Sequence, residues 1–150
     1  MKRIIITLLL IIVALKTEAQ SSVFSVVDSL LLKGNYQKAL VLLENTKNKT
    51  FAVFEKTASI YQSVGNENKA LIYLNKALEL ENSETAKVKL AQLYLAIGLT
   101  SKAIETYEVL IAKDTSNLLV ANSLGKLYLS QNQPIRAEKL FRFLQSKDAE

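Results

Sequence analysis

The sequence has 150 residues, 49% of them hydrophobic, which is enough for one sizeable core, and it contains neither Cys nor His. Those two absences remove thiolate nucleophiles, imidazole bases, disulfides and the usual zinc, haem and iron–sulfur ligands, so no cofactor or metal is expected. The formal net charge is +5, but Lys2, Arg3, Lys16 and Glu18 fall in a segment expected to be removed, and the net +3 left on the remainder is an ordinary solvated surface rather than a nucleic-acid stripe.

The first twenty residues, MKRIIITLLLIIVALKTEAQ, have the three-part pattern of a secretory signal. Lys2 and Arg3 precede an apolar run from Ile4 to Leu15 broken only by Thr7, and the small residues Thr17 and Ala19 follow. Cleavage between Ala19 and Gln20 is expected, giving a signal peptide over 1–19 and a domain over 20–150 in the periplasm, in the cell envelope or outside the cell. Read as a helix, the apolar run spans ~18 Å against a hydrocarbon core of ~30 Å. An uncleaved anchor formed by residues 4–15 in the inner membrane remains the alternative.

Beyond the signal the sequence carries one Pro and four Gly among many Leu, Ala, Lys and Glu, a composition that favours helices throughout. Four stretches share one skeleton: LLLKGNYQKALVLL, YQSVGNENKALIYL, YLAIGLTSKAIETY and YLSQNQPIRAEKLF. They align Leu30, Tyr61, Tyr94 and Tyr128, then Gly34, Gly65, Gly98 and Asn132, then Ala39, Ala70, Ala103 and Ala137. The alanines recur at 31, 33 and 34 residues, the period of stacked helical repeats, dividing the domain into units near 20–50, 51–83, 84–117 and 118–150. Within each unit two helices are expected. In the second, Phe54, Ala58 and Tyr61 form one apolar face, Gly65 ends the helix in a left-handed conformation, Asn66 caps the next, and Ala70, Leu74 and Ala77 form the facing stripe. In the last, Pro134 opens the second helix. ENTKNKT (44–50), ENSE (81–84) and DTSN (114–117) are turns between pairs.

The skeleton resembles the tetratricopeptide repeat. Leu124, Gly125, Tyr128, Ala137 and Phe141 follow its pattern in the last unit, as do Leu90, Ala91, Tyr94, Ala103 and Tyr107 in the third. Departures are Thr57 and Asn82, Lys87 and Thr115, and Ala121. The first unit, with Val23, Val26, Val27, Leu30, Ala39 and Leu43, is degenerate and about three residues short. The resemblance implies an all-α, right-handed α-solenoid of about four antiparallel helix pairs, without enzymatic activity, whose first helices line a concave groove for a peptide or protein segment. Carried over by register, that groove comprises Phe24, Asp28 and Leu31; Glu55, Ser59 and Gln62; Val88, Gln92 and Leu95; and Asn122, Lys126 and Leu129. Some of the apolar members are equally well read as packing between neighbouring helices. The carboxylate clamp of some family members is not expected, because Glu55 and Ser59 stand where its Lys and Asn would be.

No catalytic residue is assigned. A Ser nucleophile would need a Lys base, and both residue types are too frequent for any pairing to carry meaning. Glu79, Glu81 and Glu84 read as solvent-exposed helix-end residues. The competing reading is that this chain is the repeat-bearing part of a longer exported enzyme or envelope-assembly protein. At the C-terminal edge, Ala137, Leu140, Phe141 and Leu144 form the packing stripe of the last helix. Phe143, off that stripe, is expected to face the place of a fifth pair, which implies a longer array or self-association.

Overall fold

The computed structural model describes residues 22–148; the signal segment and its Ala19–Gln20 cleavage point lie outside them. Among the described residues there are eight helices and no strand: α1 over 22–32, α2 (Tyr36–Glu44), α3 (Phe51–Ser63), α4 (Glu67–Leu80), α5 (Glu84–Ala96), α6 (Thr100–Lys113), α7 (Leu118–Ser130) and α8 (Pro134–Asp148). The chain divides at Lys49 and Thr50 into two compact units. The first holds α1 and α2, with Val27, Ala39, Leu40 and Leu43 buried. The second holds three helix pairs, α3–α4, α5–α6 and α7–α8, and α4 packs on α5 as α6 packs on α7. The expected all-α solenoid of helix pairs is the observed architecture.

Each pair is closed by the same hydrogen-bonded turn. A glycine with φ near 70° ends the first helix at Gly34 (71°), Gly65 (71°) and Gly98 (78°), and Asn132 (55°) takes the place in the last pair. The next N–H reaches back five residues, from Asn35 to the Leu30 carbonyl, Asn66 to Tyr61, Leu99 to Tyr94 and Gln133 to Tyr128, at 2.7–2.8 Å. The glycine's or Asn132's own N–H bonds the carbonyl three residues earlier, completing a Schellman motif four times. The second helix therefore starts at once: Asn66 caps α4 by accepting from the Lys69 N–H at 3.1 Å, and Pro134 opens α8. Thr50, Ser83 and Asn117 cap α3, α5 and α7 through their side chains, so the polar turns between pairs are also helix starts.

The register alanines sit where the two helices of a pair meet. Ala39, Ala70 and Ala103 are completely buried and Ala137 nearly so. On the first helices Ala58, Ala91 and Gly125 are buried at aligned positions; at Gly125 a Cβ would lie 2.6 Å from Phe141 Cζ, so the phenyl ring occupies the space of the missing side chain. The core of the last two pairs runs continuously from Ala91, Ala103 and Tyr107 through Val120 and Leu124 to Ala137 and Leu144. Thr57, a departure from the repeat pattern, is buried; its hydroxyl donates to the Val53 carbonyl at 2.7 Å and so satisfies itself within its own helix.

Two sets of substitutions test this account by chemical denaturation. Ala103→Leu should overpack the α5–α6 crossing and cost about 1–3 kcal/mol. Gly65→Ala has open space around the new methyl but a left-handed backbone, and should cost about 1–2 kcal/mol. Asn132→Gly should stay within about 0.5 kcal/mol of wild type, because Asn tolerates that conformation and Gly is more flexible when unfolded.

Candidate protein-binding surface

The first helices supply the residues expected to line a groove. On α3, Glu55 and Ser59 are half-buried and Gln62 is exposed; on α7, Asn122, Lys126 and Leu129 are all exposed. On α5, Gln92 is exposed, whereas Val88 and Leu95 pack against the core and belong to the solenoid's interior more than to its surface. In the first unit, Asp28 is exposed while Phe24 and Leu31 are half-buried. Lys89 Nζ donates to Glu55 Oε1 at 2.6 Å, which ties α3 to α5 and engages a lysine that could otherwise have met a ligand carboxylate. Exposed amides remain at Gln62, Gln92 and Asn122. Each steps back about one helical turn in the repeat register, so they run diagonally across α3, α5 and α7.

The second helices carry a feature that the sequence reading missed. A basic residue immediately precedes each register alanine, and in three pairs it lies over the ring of the aligned tyrosine. Lys69 is 5.0 Å from the Tyr61 ring centroid, Lys102 is 5.6 Å from that of Tyr94 and Arg136 is 4.4 Å from that of Tyr128. In the last pair the arrangement extends to α6: Glu108 Oε1 accepts from the Tyr128 hydroxyl at 2.5 Å and from Arg136, joining three helices. Burial, and then the bond to Glu108 with its negative charge, pushes the Tyr128 hydroxyl up to about 12. Glu84, read from sequence as simply solvated, pairs with Lys113 at 2.6 Å and joins the start of α5 to the end of α6.

Beside these rings lie two furrows in equivalent places. One, of about 380 Å³, is lined from α4, α5 and α6, with Leu78, Lys87, Leu90, Tyr94, Thr106 and Val109 among its walls. The other, of about 420 Å³, lies one repeat on between α6 and α8, with Ile111, Leu124, Tyr128, Leu140 and Phe143 at the corresponding positions. Phe143, expected off the packing stripe, is 44% exposed and lines this furrow together with Glu108 and Ile111 of α6. Among the described residues no group of His, Cys, Asp or Glu could hold a metal ion, and no helix is long and apolar enough to cross a membrane.

Antiparallel helix pairs that repeat every 33 or 34 residues, close with one recurrent turn and stack through a shared core define an α-helical repeat protein. The family model for the tetratricopeptide repeat matches residues 56–84. The solved structures carry the likeness across most of the chain. A tetratricopeptide repeat protein from Parabacteroides merdae aligns at 22% identity and a TM-score of 0.74, covering 83% of this chain and 52% of that one. MamA aligns at 20% identity and 0.70, covering 86% and 73%. YrrB, described as a tetratricopeptide repeat protein with an unusual peptide-binding site, aligns at 16% and 0.67, covering 85% and 68%. Among curated proteins none matches the sequence. The chain has the tetratricopeptide-repeat fold, with a match to that repeat over residues 56–84, and it spans about half the length of the Parabacteroides merdae structure.

Tyr128 offers a check on the three-helix network. Its native value lies above the usual 10.0. The neutral hydroxyl therefore contributes stability in full below about pH 10, and that contribution is lost as pH rises to about 12. Tyr128→Phe should flatten this part of the stability profile. In a spectrophotometric titration of the folded protein, Glu108→Gln should lower the Tyr128 transition only part of the way toward 10, because burial is the larger cause.

Proposed function

We propose that this protein is a non-catalytic interaction scaffold whose first-helix face binds an extended segment of a partner protein. The observation that carries this reading is the diagonal of exposed amides at Gln62, Gln92 and Asn122 on three successive first helices. Amides can donate to and accept from a peptide backbone whatever its side chains, so a ladder of them suits an extended strand. The exposed Lys126 and Leu129 at the end of the ladder would add a charge contact and an apolar contact. The tetratricopeptide-repeat fold supports the reading, as does the peptide-binding site described for YrrB.

The combined variant Gln92→Ala with Asn122→Ala should weaken partner binding by about 1–3 kcal/mol while leaving the thermal melt unchanged, since both side chains are exposed. The reading fails if calorimetry with the partner recovered from envelope extracts shows full affinity for this variant. We further propose export, on the strength of the basic, apolar and small-residue pattern of residues 1–19. N-terminal sequencing of the exported protein should then begin at Gln20, and an intact Met1 would favour the anchored form.

A further inference from the structure

The second-helix furrows play no part in the proposed peptide face, and the chain itself indicates what fits one of them. In the α3–α4 pair the corresponding positions hold aromatic rings. Tyr61 and Tyr73 stack at 5.4 Å, Phe54 lies 6.2 Å from Tyr73, and Lys76 Nζ sits 5.1 Å from the Tyr73 ring. One repeat on, Tyr94 keeps the place of Tyr61, but Lys87 replaces Phe54, Thr106 replaces Tyr73 and Val109 replaces Lys76. Two rings are lost from the slot, and the furrow of about 380 Å³ opens over Leu90 and Tyr94 in their stead.

The charge around this slot is unbalanced. Lys87 and Lys102 both line it, and among the described residues neither is in an ion pair; Glu105 is the carboxylate on the same walls. The equivalent furrow in the last pair is less suited. Phe143 already contributes a ring there, and Arg136 is engaged by Glu108. An apolar floor flanked by two ammonium groups outside any ion pair, that of Lys102 lying 5.6 Å from the Tyr94 ring centroid, complements a ring carried between carboxylates.

We propose that the furrow over Leu90 and Tyr94 is a docking slot for an aromatic side chain flanked by acidic residues in a partner protein. The ring takes the space that Phe54 and Tyr73 fill one repeat earlier, and the acidic neighbours meet Lys87 and Lys102. This surface is separate from the amide diagonal on the first helices, so the two sites succeed or fail independently.

The test is a titration of the 15N-labelled protein with the peptide acetyl-Asp-Glu-Phe-Glu-Asp-amide, followed by amide chemical shifts. Shifts are expected around Leu90, Tyr94, Thr106 and Val109, saturating with peptide. The same peptide with Ala for Phe, or with Lys for all four acids, should bind at least tenfold more weakly. Lys87→Phe restores a ring to the slot and should cut affinity at least tenfold. Lys102→Glu changes an exposed side chain, keeps the fold, and should also weaken binding at least fivefold. Gln92→Ala with Asn122→Ala should leave this binding unchanged. The proposal is overturned if millimolar peptide moves no furrow amide, if the lysine peptide binds as well, or if the shifts map to the first-helix face instead.

Discussion

Everything else in this fold depends on how closely two helices can approach at one point in each pair. Ala39, Ala70, Ala103 and Ala137 are buried almost to the last atom, and the aligned first-helix positions of the second unit, Ala58, Ala91 and Gly125, are small and buried as well. Small residues on both sides let the backbones draw together, and the larger side chains a turn away can then interlock. Phe141 illustrates the consequence. Its ring rests where a Cβ at Gly125 would be, so the fourth pair trades a methyl on the first helix for a phenyl ring on the second.

The tight crossing in turn requires a short connection, and the Schellman turn supplies it. The aligned tyrosine gives its carbonyl to that turn, which fixes its backbone, and its ring is then covered by the basic residue that opens the second helix. A turn device and a surface device thus share one residue. The proximity of each basic residue to its tyrosine is a by-product of the turn, which brings the first residues of the second helix back alongside the end of the first. The furrows begin at the same tyrosines, so their repetition down the array reflects turn geometry and not separate design of each surface.

Much of this was legible in the sequence because it is local or periodic. The alanine period fixed the pairs; Gly65, Asn66 and Pro134 announced the turn and the helix start; Asn132 stands at the glycine offset, and its φ of 55° gives it the glycine's conformation. What escaped was non-local. Val88 and Leu95 could be placed on a helix face by register, but only the packing of the neighbouring helices decides that they are covered. Glu55 and Lys89 are 34 residues apart, and their pairing depends on the side-by-side placement of α3 and α5. The basic residues at 69, 102 and 136 were visible as a column beside the alanines. They carried no message without knowing that the turn folds them over a ring. Phe143 could be placed off the packing stripe from one helix alone, but its sharing of a furrow with Glu108 and Ile111 depends on where α6 lies.

The same register comparison explains how the last pair meets water. On the second helices, Leu71 and Leu78 of α4 are half-buried, and Ile104 and Ile111 of α6 are buried in the shared core. In α8 the corresponding positions are Glu138 and Gln145, both exposed, with Arg142 between them donating to Glu138 at 2.7 Å. The positions that are apolar on α4 and α6 are thus polar on α8. On α7, Leu118, Leu119 and Leu129 are each more than half exposed, in the positions that α5 gives to Glu84, Thr85 and Leu95. Exposed apolar side chains therefore occur on both helices of the last pair, at Leu118, Leu119 and Leu129 of α7 and at Ile135, Phe141 and Phe143 of α8, while the Glu138–Arg142 side of α8 is charged.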